Sequence, residues 1–287
     1  MDAAPSVVVG GRTFGPPGAY VVGVVNVTPD SFSDGGRFLD PEAAVDQALR
    51  LVSEGADLVD VGGESTRPGA SEVGAREEIG RVVPVLERLA AARLPVPVSV
   101  DTSKPEVARA ALDAGAAMVN DVRGLADPEL RRVVAEAGVP VVLMHMRGTP
   151  RDMRERAVYR DLLGEVRGEL ADAIARAEAA GVARERIVVD PGIGFAKTAE
   201  QSVELLARLP ALASLGRPLY VGPSRKSFIG ALTGAAPEDR LAGTLAAVTA
   251  SVLGGATFVR VHDVAAARQA VRVALALRAS GGMRAGV

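Results

Sequence analysis

The sequence predicts an α/β protein in which eight parallel strands close into a (β/α)8 TIM barrel, preceded by a short N-terminal β-hairpin. Eight short apolar runs each end at or near a polar or ionisable side chain, on average about every 34 residues. This spacing is close to the length of one strand–helix–strand unit, and a continuous apolar run is typical of a strand buried in a parallel sheet. The runs are residues 20–26, 58–60, 96–101, 117–120, 139–145, 187–190, 219–224 and 258–262.

The segments between the apolar runs carry the start and stop signals of helices. Residues 40–42 and 127–129 both read Asp-Pro-Glu, which supplies a capping side chain, a proline at the first helical position and an acid in the first turn. Gly55, Gly115 and Gly138 each precede the next apolar run, where a glycine typically ends a helix. Alternating strands and helices favour a parallel sheet covered by helices. A doubly wound open sheet is the alternative to a closed barrel.

The length of the chain bounds its domain organisation. At 287 residues it is long for one average domain but ordinary for one barrel of roughly 250 residues with additions. We expect a single domain, residues 1–287, with the barrel at about residues 18–279, because glycine and proline lie at turn positions and form no linker. Gly10-Gly11 between apolar flanks predicts a hairpin within residues 1–17. Residues 280–287 are expected to form a flexible tail.

Composition and charge exclude several classes of protein. The net charge of −2 and the 3% of aromatic residues argue against a nucleic-acid or anionic-membrane surface. The chain has no cysteine, which excludes disulfides, thiolate zinc sites and a cysteine nucleophile. It shows no basic-then-apolar leader and no apolar stretch of about 18 residues. We therefore expect a cytoplasmic protein without membrane or nucleic-acid partners.

Polar side chains at the predicted strand ends mark the candidate active site, because barrel enzymes carry their chemistry at the carboxyl ends of the strands. Asp101, Asn120 and Asp190 end three of the apolar runs. Two carboxylates and an amide suit a heterocycle rich in N–H donors, since an ionised carboxylate can accept from two adjacent donors. The alternative is that each residue caps the following helix, which is the weaker explanation for three such residues together.

Two polar loops follow the first two strands of the predicted barrel, and we expect both to be mobile. Asn26 leads into residues 28–37, and its amide oxygen is a neutral ligand suited to Mg²⁺, a hard cation that keeps most of its waters. An Asn turn is the alternative for this residue. In residues 62–76, Thr66 and Arg67 supply donors for an anionic ligand. The alternative here is a solvated surface loop.

Two further segments bring cations to strand ends. Residues 222–227 contain Lys226 and lead from a strand into a helix, a position suited to anions or electron-rich carbonyls. Arg260 and His262 lie two residues apart, so the period of a strand places both on the same side at its carboxyl end. A structural imidazole is the alternative for His262. We expect His145 to form a wall of the pocket rather than to act as an acid or base.

Five long motifs occur in order along the chain: NVTPDSFSDGG, DVGGESTRPG, DPGIGF, SRKS and RVHDV. Together they strongly resemble the dihydropteroate synthase family of folate biosynthesis, over about residues 21–277 and all eight strand ends. The resemblance implies a (β/α)8 barrel, Mg²⁺ as a cofactor and a homodimer. It also implies a reaction that joins 4-aminobenzoate to 6-hydroxymethyl-7,8-dihydropterin diphosphate, giving 7,8-dihydropteroate and diphosphate.

The resemblance implies roles for individual residues as well. The pterin would be held by Asp101, Asn120, Asp190 and Lys226. The diphosphate with Mg²⁺ would be held by Asn26, Arg260 and His262, with Asn26 as the metal ligand. The 4-aminobenzoate site would comprise Phe32, Thr66, Arg67, Pro68, Phe195 and Ser227. The residues expected to act in catalysis are Asp101, Lys226, Arg260 and His262.

The expected mechanism relies on charge stabilisation, because the sequence offers no covalent nucleophile or dedicated base for the weakly nucleophilic amine. We expect largely dissociative C–O cleavage, with Mg²⁺-assisted departure of the diphosphate and capture of the methylene carbon by the amine. The sequence departs from the family pattern at Ala196, Gln201, Ser202 and residues 151–153. Two other classes remain open. A pterin-dependent methyltransferase domain would not need GGESTRPG or SRKS, and a catalytically silent paralogue should have lost a loop or anion-binding residue.

Overall fold

The computed structural model describes residues 5–28, 40–67 and 69–281, and its main sheet is a barrel of parallel strands. Its strands are β3 (Tyr20–Asn26), β4 (Leu58–Gly62), β5 (Val98–Asp101), β6 (Met118–Asp121), β7 (Val141–Met144), β8 (Ile187–Asp190), β9 (Tyr220–Val221) and β10 (Phe258–Val261). From β3 to β8 they pair in sequence order, and β10 lies between β3 and β9. A parallel bridge between Val189 and Leu219 joins β8 to β9 and closes the ring. The predicted barrel is confirmed, and the open doubly wound sheet is wrong.

The predicted hairpin is also confirmed. Strands β1 (Val7–Val9) and β2 (Arg12–Phe14) pair antiparallel, and Gly10 and Gly11 form the turn with φ values of +54° and +79°, which glycine adopts without strain. The buried side chains of the hairpin pack on apolar residues inside the barrel, among them Met118. The hairpin therefore covers the end of the barrel opposite the carboxyl ends of the strands.

The helices begin where the capping signals predict. Asp40 accepts the N–H of Glu42 at 2.9 Å, and Asp127 accepts the N–H of Glu129 at 2.8 Å. The α-helices are α1 (Pro41–Ser53), α2 (Ala75–Ala91), α3 (Pro105–Asp113), α4 (Pro128–Ala137), α5 (Leu162–Ala179), α6 (Ala199–Ala207), α7 (Ser227–Thr233), α8 (Leu241–Leu253) and α9 (Val264–Ala279). Within the described ranges, every helix is too short or too polar to cross a membrane.

The two-residue period of the strands decides which side chains enter the barrel. Leu58 and Phe258 belong to a lower apolar layer that packs on the hairpin. The residues two positions further along, Asp60 and Arg260, therefore point inward one layer above, and they bond to each other. Asn120 joins the same layer through a hydrogen bond to Asp60. The polar layer lies at the carboxyl ends of the strands, where the sequence predicts the active site.

Candidate active site

A buried ion-pair cluster centred on Arg260 forms the floor of the site. Its Nε donates to Oδ2 of Asp60 at 2.7 Å, and its Nη2 donates to Oδ2 of Asp101 at 2.8 Å. Asp60 is fully buried and also accepts from Ser99 Oγ at 2.6 Å and Asn120 Nδ2 at 3.1 Å. The sequence marks Asp60 only as the end of an apolar run and assigns it no role. Its inward position, two residues after Leu58, is the signal that could have identified it.

Asp101 combines a strong ion pair with an unused acceptor. Burial raises the pKa of Asp101 to about 7, although the charge of Arg260 acts in the opposite direction. Only Oδ2 of Asp101 accepts a hydrogen bond from the described residues, so Oδ1 is available to a ligand. Gly62 leaves room beside it, since a Cβ there would come within 3.3 Å of the Asp101 Cβ.

Asp190 ends β8 and offers a second carboxylate. Its Oδ1 accepts the N–H of Gly192 at 2.7 Å, and Oδ2 has no hydrogen bond among the described residues. Burial raises the pKa of Asp190 to about 6, partly offset by that N–H and by the charge of Lys226. Gly192 has a φ of +69°, and a Cβ there would lie 2.0 Å from the carbonyl oxygen of His145. The DPGIGF turn therefore requires glycine at this position.

Lys226 lies at the start of α7, with its ammonium over an aromatic ring. The Nζ atom is 3.8 Å from the centre of the Phe195 ring, a cation–π contact. Burial lowers the pKa of Lys226 to about 8, and the charge of Arg260 adds to the effect. The Nζ makes no hydrogen bond to the described residues, so its donors are free for a ligand. Ser227, the first residue of α7, is exposed.

His262 is bonded to Ser224 through both its backbone and its ring. The hydroxyl oxygen of Ser224 accepts the backbone N–H of His262 at 3.2 Å and lies 2.9 Å from its Nδ1. A serine hydroxyl can donate to Nδ1 or accept from it, and donation places the ring proton on Nε2. Burial lowers the pKa of His262 to about 4, with the charge of Arg260 adding to the effect. In the free protein the imidazole of His262 is thus neutral at pH 7, and its partner Ser224 was not among the predicted site residues.

Asn26 ends β3, and its side chain makes no hydrogen bond to the described residues. Within residues 5–28, 40–67 and 69–281, no group of three His, Cys, Asp or Glu side chains could hold a metal ion. One amide oxygen fits an ion that takes most of its ligands from phosphate and water, which is the usual state of Mg²⁺ in proteins. The donor set is therefore compatible with Mg²⁺ bound together with a diphosphate.

The loop after β4 brings Thr66 and Arg67 to the rim of the barrel. The loop is fastened by Glu64, whose carboxylate accepts the Val73 N–H at 2.7 Å and pairs with Lys104 at 2.7 Å. Burial is the main reason that Lys226 and His262 have lowered pKa values, and the charge of Arg67 adds to both effects. Arg67 is itself exposed, so its guanidinium is accessible to an anion.

A cavity of about 320 Å³ lies between this loop and the loops that follow β5, β6 and β7. Its lining includes Thr66, Asp101, Arg123 and Arg151, so one residue predicted for the aminobenzoate, Thr66, and one predicted for the pterin, Asp101, border the same space. The predicted aminobenzoate residues Phe32 and Pro68 lie outside the described residues.

The positions that depart from the family pattern are accommodated locally. Ala196 has a φ of +47°, in the left-handed region that favours glycine, and its carbonyl accepts the Tyr159 hydroxyl at 2.9 Å. Gln201 and Thr198 form a capping box at the start of α6, and the Ser202 hydroxyl donates to the Thr198 carbonyl at 2.7 Å. Gln201 and Ser202 are thus both bonded within the first turn of α6.

His145 lies beside Asp190, whose backbone carbonyl accepts the His145 N–H at 2.9 Å, and its ring is bonded on both sides. Its Nε2 lies 3.0 Å from Oε2 of Glu169, and its Nδ1 lies 2.9 Å from Nζ of Lys197. Burial lowers the pKa of His145, and burial lowers the pKa of Lys197 to about 7 against the attraction of Asp190. Sequence analysis assigned no role to Lys197 or Glu169.

The pterin binding enzyme family matches residues 22–262, so the chain belongs to that family. It is 49% identical over 260 residues to the dihydropteroate synthase of Synechocystis sp., over 90% of each chain. The solved structure of Xanthomonas albilineans dihydropteroate synthase with 4-aminobenzoic acid is 50% identical, with a TM-score of 0.89 over 96% of this chain and 99% of that one. The structure of the Xanthomonas albilineans enzyme in complex with 7,8-dihydropteroate is 44% identical, with a TM-score of 0.84 over the same shares. The resemblance to the dihydropteroate synthase family is thereby confirmed.

Proposed function

We propose that this enzyme condenses 6-hydroxymethyl-7,8-dihydropterin diphosphate with 4-aminobenzoate, giving 7,8-dihydropteroate and diphosphate. The observation that carries the proposal is a set of three acceptors around Arg260 that no described residue uses: Oδ1 of Asp101, Oδ1 of Asn120 and Oδ2 of Asp190. A pterin presents several N–H donors at one edge, and such acceptors match them. The relatives solved with 4-aminobenzoic acid and with 7,8-dihydropteroate support the same reaction.

The pterin would occupy the polar layer inside the barrel. Val122, Met144 and Phe195 belong to a buried apolar cluster that can cover a flat ring, while Lys226 supplies a free ammonium donor beside Asp190. The carboxylates of Asp101 and Asp190 would also favour positive charge on the pterin as its C–O bond breaks. Fixed charges of this kind act strongly in a site from which water is excluded.

The departing diphosphate would lie at the rim, next to His262, Asn26 and Arg67. His262 would donate from Nε2, because Ser224 occupies its Nδ1. The Arg67 guanidinium is exposed and its charge acts on His262, and Arg260 retains Nη1 without a hydrogen bond to the described residues. Mg²⁺, when bound at Asn26 with the diphosphate, would supply a Lewis acid that neutralises phosphate charge.

Capture of the methylene carbon completes the proposed reaction. The electron pair of the broken C–O bond leaves with the diphosphate, and the amine nitrogen of 4-aminobenzoate forms the new C–N bond and loses one proton. Thr66, Arg67, Phe195 and Ser227 would hold the aminobenzoate. Thr66 lines the same cavity as Asp101, and the ring of Phe195 contacts Lys226. Arg67 would bind either the carboxylate of 4-aminobenzoate or the diphosphate, because both are anions.

One assay separates the three functions that remained open. We expect diphosphate release from the pterin diphosphate with Mg²⁺ to depend on 4-aminobenzoate and to yield 7,8-dihydropteroate in equal amount. Pterin binding without any release would instead identify a silent paralogue. Transfer of a methyl group from a methylated reduced pterin, with no diphosphate release, would identify a methyltransferase.

We also propose that the enzyme forms a homodimer through α7, α8 and α9. These neighbouring helices expose large apolar side chains, namely Leu232, Leu241, Val273 and Leu277, each at least 40% exposed. Apolar patches of this kind commonly mark protein–protein contacts. Light scattering in solution should give twice the mass of the chain, and Leu241→Glu should shift the species toward the monomer. A monomeric wild-type protein would contradict the proposal.

A further inference from the structure

A chain of polar contacts lies behind the site and has no part in the proposed chemistry. The carboxylate of Glu169 can only accept, so the imidazole proton of His145 must face Glu169, and Nδ1 accepts from Nζ of Lys197 at 2.9 Å. The proton of the imidazole is then on Nε2, which donates to Oε2 of Glu169 at 3.0 Å. His145 is only 4% exposed, and both of its ring nitrogens are used. The imidazole thus acts as a neutral bridge between an acid on α5 and a lysine near the start of α6.

The other end of this chain reaches the loop that carries two site residues. Lys197 Nζ also donates to the backbone carbonyl of Phe195 at 2.9 Å. The loop between β8 and α6 contains Gly192, whose N–H is the partner of Asp190, and Phe195, whose ring lies under Lys226. Lys197 therefore stabilises the loop segment that positions the Asp190 carboxylate and the Phe195 ring.

A second, separate contact fastens the same loop. The hydroxyl of Tyr159 donates to the carbonyl of Ala196 at 2.9 Å. The ring of Tyr159 lies 4.1 Å from the guanidinium of Arg147, and Arg147 donates from Nε to Oε1 of Glu169 at 2.9 Å. Both series of contacts therefore run from Glu169 to adjacent backbone carbonyls of one loop, those of Phe195 and Ala196.

We propose that Lys197 and His145 are positioning residues for the pterin site, which hold the loop of Gly192 and Phe195 in its ligand-binding conformation. Neither residue contacts the reacting atoms. They act through Asp190, whose orientation depends on the Gly192 N–H, and through the ring of Phe195. This inference rests on the proposed function, because it assumes that a pterin is the ligand of Asp190.

The test uses variants that separate the two bonds of the imidazole. Lys197→Met keeps the length of the side chain but removes its donors. His145→Gln keeps a donor near the Nε2 position without the acceptor at Nδ1, whereas His145→Asn keeps an acceptor near Nδ1. Arg208→Met is the matched control, because Arg208 is an exposed cation at the C-terminal end of α6 that pairs, among the described residues, with Glu204 at 2.9 Å.

The readout is the Kd of 6-hydroxymethylpterin, measured by calorimetry together with the Kd of pyrophosphate in the presence of Mg²⁺. We expect Lys197→Met and His145→Gln to weaken pterin binding roughly ten-fold or more, the usual effect of losing a hydrogen bond to a charged group. His145→Asn should weaken it less, and Arg208→Met should not change it. Pyrophosphate binding should stay the same in all four, because Asn26 and His262 lie outside the loop.

Two further results decide between positioning and simple stability. If Lys197→Met lowers the unfolding temperature but the folded protein binds the pterin with the wild-type Kd, the role is structural and the inference is overturned. In the double variant that combines Lys197→Met with His145→Gln, the loss of pterin affinity should be no larger than in Lys197→Met alone. Both substitutions remove the same contact between the two side chains. Additive losses would overturn the inference as well. If the wild-type protein binds no pterin at all, the proposed function fails instead.

Discussion

The guanidinium of Arg260 donates to the fully buried carboxylate of Asp60 at 2.7 Å, although the two residues are 200 positions apart in sequence. They belong to β10 and β4, which are not neighbours in the sheet, since β3 lies between them. The bond therefore spans the interior of the barrel. It places one guanidinium between Asp60 and Asp101 and so sets the geometry of the polar layer.

Removal of Asp60 should be strongly destabilising. Asp60→Ala leaves the Arg260 charge with one partner fewer and also removes the acceptor of Ser99 and Asn120. We expect the free energy of unfolding to fall by about 3–5 kcal/mol, as for other broken buried ion pairs. Urea unfolding would measure it, with Glu204→Ala as the control. Glu204 forms an exposed pair with Arg208, so its loss should change stability by about 0.5 kcal/mol or less. Equal effects would contradict the central role of Asp60.

Lys226→Ala should reduce turnover far more than it reduces stability. The ammonium of Lys226 contacts the ring of Phe195 and makes no hydrogen bond to the described residues, so little of the fold depends on it. We expect a large fall in kcat with a small change in unfolding temperature, measured on the same preparation. Unchanged turnover at saturating substrate would remove Lys226 from the site.

Asp101→Asn should weaken pterin binding and slow the chemical step together. The substitution keeps the size of the side chain but loses the negative charge that pairs with Arg260 and that favours a cationic methylene carbon. Single-turnover kinetics and pterin titration would separate the two effects. A variant that lost only its affinity for 4-aminobenzoate would show that Asp101 does not belong to the pterin pocket.

Pterin affinity should depend on pH through the two buried carboxylates. Burial raises the pKa of Asp190 to about 6 and that of Asp101 to about 7. Both groups gain protons as the pH falls, and a protonated acid loses its capacity to accept from two pterin donors. The affinity for 6-hydroxymethylpterin should therefore rise from pH 5 to pH 8, as calorimetry can measure. A constant affinity over that range would show that ionised carboxylates do not bind the ring.

Binding of 4-aminobenzoate should require the other ligands to be present. Residues 62–76 and 28–37 carry groups assigned to its site, and we expect diphosphate with Mg²⁺ to order both loops. Residues 29–39 lie outside the described residues. When diphosphate is absent, the apparent affinity for 4-aminobenzoate should fall in proportion to the fraction of enzyme molecules whose loops are ordered for binding. Calorimetric titration of 4-aminobenzoate into the enzyme alone, and into the enzyme with a pterin, Mg²⁺ and pyrophosphate, tests this. Equal affinities would reject the ordered-loop mechanism and leave the enzyme assignment intact.

The sequence by itself determined the barrel and the face that carries the polar groups. Both depend on local periodicity: apolar runs define strands, Asp-Pro-Glu at residues 40–42 and 127–129 starts helices, and the two-residue alternation turns Arg260 and Asn120 inward. Asp101 and Asp190 could be selected for the same reason, as polar ends of buried strands. Each of these properties is encoded within a few neighbouring residues.

Only the tertiary structure decided which side chains meet. No local pattern indicates that Asp60 binds Arg260, or that Lys197 bonds to His145, 52 positions away. The ring of His262 likewise bonds to Ser224, which lies 38 positions earlier. These contacts depend on closure of the barrel and on the stagger of its strands, which set the distances across the interior. Because those distances arise from the whole ring at once, no single segment of sequence contains them.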